Sequence, residues 1–372
     1  MTFPRTLLLY IGGRFLSATL ASLVALALFV AMFDFLELLR RASGRPDVAL
    51  ATVAGIAGLR LPFLALQVLP FAVLLGGMLA FWRLARSSEL IVARAAGVSA
   101  WGLLAAPVLV AALIGAAAVA GLTPLSAAMF ARAERAEAQI FRAGAGAGAL
   151  AGGRLWLRQA DSALAPGGMA ILSGALSGPA EGPADFALAQ VSLWRLSAED
   201  RLLARIEAAR ALLLPGRWLI EEAVVFGPDR QPQPVPRLEL PTELSPDRIL
   251  DSFASPDALS FWALPRFIAV LEEAGFSAIR HRLQYQSLLA TPLLAAAMAL
   301  LAAGFAMRPA RLGGTWRMAA AGGAAGFALF VLDKLAGEFG ESGALPVWLA
   351  AWAPAMAGLL LALGLLLHLE DG

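Results

Sequence analysis

The side chains of this chain best suited to gripping a ligand are arginines, and they come in clusters. Arg40, Arg41, Arg45 and Arg60 lie near Asp34, Glu37 and Asp47, and Arg132 and Arg135 follow a later apolar stretch. A guanidinium fork binds phosphate or carboxylate oxygens two at a time, so such a set reads as a receptor for an anion. It reads equally as arginines snorkelling at a membrane interface with local ion pairs to the neighbouring acids. Both readings stand at the level of sequence. Bond-making chemistry is poorly provided for. With no cysteine there is no thiol nucleophile, disulfide or zinc–thiolate site. The two histidines, His281 and His368, are far apart, and His281 is flanked by Arg280 and Arg282, a poor setting for a metal. Glu221 and Glu222 fall in a predicted strand without a surrounding cluster of titratable groups. Lys334, the sole lysine, sits in Leu332-Asp333-Lys334-Leu335, which is no Gly-rich phosphate loop, so the chain has no Walker site of its own. Asp333 and Lys334 read as a helix-end ion pair or, alternatively, a gating contact.

The elements that must position these residues are membrane spans. Of the 372 residues, 59% are hydrophobic and 15% charged, and mean hydropathy is +0.74. Soluble domains carry about a quarter charged residues. A net charge of +2 without a long basic tract excludes nucleic acid as a partner. Uncharged stretches of roughly 20 residues can cross a bilayer as helices. They occur between Arg14 and Asp34, between Arg60 and Arg83, from Gly97 to about Pro124, from Leu283 to Met307, from about Gly313 to Leu332, and from about Leu345 to Leu367. The first lacks a small-residue cleavage site and reads as an uncleaved anchor. Trp82, Trp101, Trp316, Trp348 and Trp352 near span ends fit an interfacial aromatic belt.

Between Leu125 and Pro265 nothing is long enough to span. Short alternating runs at Leu155–Leu157, Phe186–Trp194 and Trp218–Phe226 predict antiparallel strands. Arg201–Leu214 fits helix or strand, and strand is preferred. Gln231-Pro232-Gln233-Pro234-Val235-Pro236 reads as a Pro-rich turn, and Ala143–Gly153 as a Gly/Ala-rich link. Ser255-Pro256-Asp257 reads as a helix start, and Leu264, Phe267, Ile268 and Leu271 as the apolar face of an amphipathic connector ending at Gly275. The expected organisation is spans one to three over 1–124, a β-jelly-roll-like domain over 125–265, a connector helix over 266–282, and spans four to six over 283–372. Arg5 and Arg14, then Arg83, Arg86 and Arg94, then Arg308, Arg311 and Arg317 mark one side of the membrane. The positive-inside rule makes that side, and both termini, cytoplasmic. The β-domain then lies outside.

One stretch is distinctive: Arg86-Ser87-Ser88-Glu89-Leu90-Ile91-Val92-Ala93-Arg94-Ala95-Ala96-Gly97-Val98-Ser99. It is too polar to span and too regular for a loose loop. It reads as a short cytoplasmic helix near 84–98, with Ser88 as cap and Glu89 and Arg94 projecting. Such a helix either joins two spans or docks on a separate motor subunit. Together with Leu61-Pro62, Leu69-Pro70, Gly152–Gln159, Ser255–Leu264 and Leu349–Pro354, it resembles the LptF/LptG permeases of lipopolysaccharide export, on their LptG side, across essentially the whole chain.

That resemblance implies an inner-membrane transporter half that works without catalytic residues or a bound cofactor. An LptF-like membrane partner would pair with it, and an LptB-like ATPase dimer would bind the ATP below. LptC and an LptA-like bridge would receive lipopolysaccharide from the periplasmic β-domain. The resemblance places Arg86, Ser88, Glu89, Leu90, Ala93, Arg94 and Gly97 at the ATPase contact. It places Asp34, Glu37, Arg40, Arg41, Arg132 and Arg135 at the lipid phosphates. The first and fifth spans would border the acyl chains. Asp34 and Leu288 stand where relatives often carry basic residues, which implies a rearranged phosphate site. An LptF-type paralogue, a membrane-anchored envelope enzyme and a four-span mechanotransmitting permease are the competing readings.

Overall fold

The computed structural model describes residues 5–43, 48–87, 89–95, 97–141, 149–151, 154–161, 168–176, 186–197, 201–227, 231–242, 249, 255–273, 277–306 and 315–370. Six helical stretches are long and apolar enough to cross a membrane. They are α1 (Arg5–Ala42), α2 (Leu50–Arg86), α4 (Ala100–Ala117) continuing into α5 (Thr123–Phe141), α7 (Ile279–Ala306), α8 (Thr315–Glu341) and α9 (Val347–Glu370). A π-helical turn, Ala118–Leu122, joins α4 to α5, and the short α3 (Glu89–Ala95) lies between the second and third spans. The chain divides into two compact units. The first is Met1–Glu137, Pro256–Pro265 and Ile279–Gly372, and the second is Ala138–Ser255 with Arg266–Ala278.

In the helical unit α7 is the central post. Its Ala295–Ala303 stretch is buried throughout, and its neighbours in the core include Phe15, Leu74, Phe81, Leu103 and Leu366. Lipid tails are as apolar as leucine, so close packing between spans rests on small residues that let backbones approach. Gly76 and Gly77 do this on two faces of α2. A Cβ on Gly76 would lie 2.7 Å from Thr19 N and 2.9 Å from Ala18 O, and one on Gly77 would lie 2.8 Å from Ala302 Cβ. Gly115 of α4 similarly faces the α7 backbone, 2.8 Å from Pro292 Cα.

Several helices outrun the hydrocarbon-length stretches that announce them. The first expected span ends at Asp34, but α1 continues to Ala42; the third ends near Pro124, but α5 continues to Phe141. The boundary expected at 125 therefore lies inside a helix, and the β-rich unit starts at Ala138. Counting uncharged residues detects where lipid stops being the solvent. It does not detect the end of a helix whose next turns are amphipathic.

The second unit holds one antiparallel sheet in strand order β1 (Ala149–Ala151), β2 (Arg154–Ala160), β3 (Met169–Leu176), β4 (Phe186–Leu196), β5 (Leu202–Leu214), β6 (Arg217–Phe226) and β7 (Pro232–Pro241). A crease runs across it. Ladder pairing skips Gly174 in β3, and Gln190 in β4 and Glu222 in β6 have φ of 50° and 53°. Ala209 of β5 and Pro236 of β7 fall at the same level of the register. The buried residues change parity there: Leu188 then Val191 and Leu193, Ile206 then Ala211 and Leu213, Trp218 and Ile220 then Ala223. In β4 and β6 the residue at positive φ turns the pleat over, so both arms of those strands present apolar side chains to the same interior, and β5 changes parity alongside them without a positive φ. Gln159 closes one corner of this roll. Its Nε2 donates to Pro241 O at 3.0 Å, and its Oε1 accepts from Thr242 Oγ1 at 2.7 Å.

The Pro-rich turn expected at Gln231–Pro236 instead leads into and forms the first half of β7, an edge strand in the described sheet. An edge strand needs ladder donors only at alternate positions. Pro232, Pro234 and Pro236 share one parity, so Gln233, Val235 and Arg237 supply the donors to β6. Proline nitrogens on the outer side also protect that edge from adventitious strand pairing.

The returning segment begins with a 3₁₀ turn (Pro256–Ala258) rather than an α-helix, and the amphipathic helix α6 spans Leu264–Glu273. Leu271 is fully buried in the β-domain core, and Phe267 and Ile268 pack on it, so α6 belongs to that domain's interior. Its expected stop at Gly275, like most of the Ala143–Gly153 link, lies outside the described residues.

Burial pushes the Asp257 carboxyl above its ordinary range; Lys334 opposes the shift and Glu341 adds to it. A raised folded-state value favours folding in the acid range, and that contribution is lost as pH rises through it. Near neutral pH the ionised carboxylate therefore opposes the fold. Asp257→Asn should raise the melting temperature by a few degrees at pH 7, with the gain shrinking towards pH 4, in thermal unfolding scans of the detergent-solubilised protein.

Candidate functional site

The acids and arginines near the ends of α1 and α5 meet in one chain of ion pairs. Arg60 of α2 donates to Asp34 Oδ1 at 2.9 Å and also binds Glu137 of α5. Arg41 reaches Glu137 at 3.4 Å and Glu37 at 2.9 Å, and Arg40 grips Glu37 bidentately at 2.8 and 3.0 Å. Three carboxylates meet three guanidiniums, so the cluster is electrically balanced. Enclosure decides which pairs matter energetically. The Arg60 side chain is 18% exposed, with Asp34 at 19% and Glu137 at 15%, whereas Arg40 is 77% exposed. The inner pairs are therefore weakly screened, and the Arg40–Glu37 pair contributes little.

Four of the six residues predicted for lipid phosphates, Asp34, Glu37, Arg40 and Arg41, thus engage one another or Arg60 and Glu137. The other two stand apart. Arg132 and Arg135 are exposed on α5 and pair with no acid among the described residues, and Arg135 Nε turns back to Ala131 O at 3.0 Å. At the centre of the knot, Arg60 was grouped with Arg40, Arg41 and Arg45 in the sequence but not placed among the residues at the lipid phosphates, and Glu137 was missed altogether. The missing signal was helical phase: once α5 is known to continue past Pro124, Glu137 falls on a helix that also carries Arg132 and Arg135.

The other candidate surface is α3 and its flanks. Gly97 ends the helix with φ of 83°, and Val98 N donates to Ala93 O at 3.2 Å, closing the helix through a left-handed glycine. Ser99 then caps α4, its hydroxyl accepting from Gly102 N at 3.1 Å. Gly97-Val98-Ser99 is thus a helix stop followed at once by a helix start, which fixes the angle of α3. Ala93 is buried in the bundle core, whereas Val92 is 67% exposed and Glu89 half-buried. Arg86 is exposed, with its guanidinium 5.5 Å from the Trp82 ring. Ser88, and the side chains of Leu90 and Arg94, lie outside the described residues. The exposed Val92 was not singled out by sequence. An apolar side chain on a solvent-facing helix earns notice only when its neighbour Ala93 is seen to do the packing.

The first and fifth spans are the least buried of the six within this chain. Val24, Leu28, Phe29 and Phe33 of α1 are uncovered, as are Phe327, Leu335 and Phe339 of α8. Among the described residues no group of three or more His, Asp or Glu side chains is placed to hold a metal.

The sequence profile of the family described as "Lipopolysaccharide export system permease LptF/LptG" matches residues 9–368. The chain belongs to the LptF/LptG family. Its six apolar helices and inserted antiparallel sheet agree with that membership and make it a multi-pass membrane protein. It is similar to the lipopolysaccharide export system permease protein LptG of Escherichia coli strain K12, with 31% identity over 127 residues, 34% of this chain and 35% of that protein. LptG of a second Escherichia coli strain, O6:H1, matches to the same extent. These alignments span about a third of the relatives' length. By that description the family is one of lipopolysaccharide export permeases.

Proposed function

We propose that this chain is the LptG-type half of an ABC transporter that extracts lipopolysaccharide from the outer leaflet of the inner membrane. The carrying observation is the family match over nearly the whole chain. The uncovered apolar faces of α1 and α8 and the exposed Arg132 and Arg135 support it. A lipid with many acyl chains needs a broad hydrocarbon wall completed by a second membrane subunit, here an LptF-like partner. Its phosphates need guanidiniums not already neutralised by the protein's own acids. Among the described residues of α5, Arg132 and Arg135 meet that description, while Arg40 and Arg41 must exchange a carboxylate for a phosphate. The β-domain, periplasmic by the charge bias of the loops, then shields the acyl chains and passes the lipid towards LptC and an LptA-like bridge.

Power comes from outside the chain. The α3 surface, with Glu89 in its first turn and Val92 exposed, suits docking into a groove of an LptB-like ATPase dimer. Reversing a charge at such a contact removes an attraction and adds a repulsion, and a loss of about 1.4 kcal/mol is already tenfold in affinity. Glu89→Arg should reduce ATPase co-purification about tenfold or more and abolish ATP-dependent lipopolysaccharide release. Normal assembly and export by that variant would remove α3 from the interface.

A further inference from the structure

The π-helical turn in the third span is held by the segment that returns from the β-domain. In a π turn the ladder widens by one residue, which displaces backbone carbonyls from their usual donors. Here the Ala120 carbonyl accepts from Trp262 Nε1 at 3.0 Å. Thr123, at the head of α5, works in two directions. Its hydroxyl donates to Val119 O at 2.6 Å and accepts from Phe261 N at 3.3 Å. The same segment is tied to the fourth span. The Phe261 ring stacks on Tyr285 of α7 at 5.2 Å and 16°, and Gln284 Nε2 donates to Asp257 Oδ1 at 3.3 Å. Residues 257–262 therefore bridge the span that leads into the β-domain and the span that leads out of it.

We infer that the Trp262–Thr123 clasp is a transmission joint, with both residues in positioning roles: it binds the π turn and α7 into one mechanical unit, so that helix motion driven by the ATPase becomes lipid delivery. The inference rests on the transport reading above. Two details favour a joint over ordinary packing. Trp262 is 63% exposed, so its hydrogen bond, rather than burial, holds it in place. Thr123 is itself buried, and a residue that only propagated the helix would not need a hydroxyl accepting from a separate segment.

The test uses the full-length chain assembled with its membrane partner and ATPase in proteoliposomes. Trp262→Phe keeps an aromatic ring, though a smaller one, and removes the donor; Thr123→Val keeps the shape and removes both hydroxyl bonds; Thr123→Ser keeps the hydroxyl. The double variant W262F/T123V should hydrolyse ATP within twofold of wild type while lipopolysaccharide delivered per ATP falls at least fivefold. Thr123→Ser should restore most of the coupling. Unchanged delivery per ATP in the double variant overturns the joint, as does an equal fall in ATP hydrolysis and delivery. Hydrogen exchange separates the two levels of the claim. Phe261 amide protection should drop in Thr123→Val whatever the cargo, and unaltered protection rejects the clasp itself. If wild-type complex moves no lipopolysaccharide while Phe261 protection does depend on Thr123, the transport reading fails and the clasp stands as a structural feature alone.

Discussion

Gly76→Ala should abolish or severely reduce recovery of folded protein. The added methyl on α2 has to share space with the Thr19 backbone nitrogen and the Ala18 carbonyl of α1. Backbone cannot step aside as the tip of a leucine can, so the two helices must separate along their contact. Overpacking usually costs about 1–3 kcal/mol, with more where the opposing atoms are main chain. A loss of this size is a large share of a typical domain's stability. Gly55 is the internal control. It lies in the same helix, and a methyl added there would meet nothing within 4 Å. Alanine there should be neutral or should stabilise by up to about 1 kcal/mol through helix propensity. Lost folded yield for Gly76→Ala beside wild-type yield and an unchanged or raised melting temperature in detergent for Gly55→Ala would show that α1–α2 approach is the deciding term. Equal behaviour would sink it.

What the sequence disclosed follows from which solvent each segment meets. The six spans were legible because hydrocarbon imposes a length and a composition at once. Strands such as Phe186–Trp194 and Trp218–Phe226 were legible because their aromatic and aliphatic residues alternate over short runs between turn signals, even though each run crosses the crease. The ambiguity of Arg201–Leu214 has a physical source in the crease: alternation switches parity around Ala209, so no single period describes the strand. The third strand, Met169–Leu176, escaped notice, and β7 was mistaken for a turn because proline counts against a strand unless the strand is known to be at an edge. The short helix between the second and third spans was legible in outline from its polarity. Its Gly97 stop and Ser99 cap are residue types with narrow conformational uses, whereas the outward turn of Val92 depends on packing. The ionic knot was half-legible. Its arginines and acids cluster in sequence near α1, but Glu137 arrives from a helix whose length was not apparent.

That knot sets the second large effect. Arg60→Gln leaves Asp34 and Glu137 facing a space that Arg60 neutralised, with Arg41 still reaching Glu137 at 3.4 Å. Removing one partner of a buried pair costs about 3–5 kcal/mol, because the remaining charge is stranded. The pairs here keep 15–19% of their side-chain surface exposed, so about 2–3 kcal/mol is the appropriate expectation. Arg40→Gln, at the exposed end of the same network, should leave the unfolding transition essentially unmoved. The exchange variant D34R/R60D keeps one cation and one anion between α1 and α2, but it moves the positive charge away from Glu137, so it should recover only part of the loss. The knot and the proposed lipid site are then separable by measurement. Removing the exposed pair with R132A/R135A should leave unfolding unchanged and weaken photocrosslinking of lipopolysaccharide to α5. Arg60→Gln should lower stability while the folded fraction still crosslinks. If instead Arg60→Gln left thermal unfolding unmoved and eliminated crosslinking, Arg60 would be a ligand for the lipid, and the balanced ion network would be only the resting arrangement of a binding site.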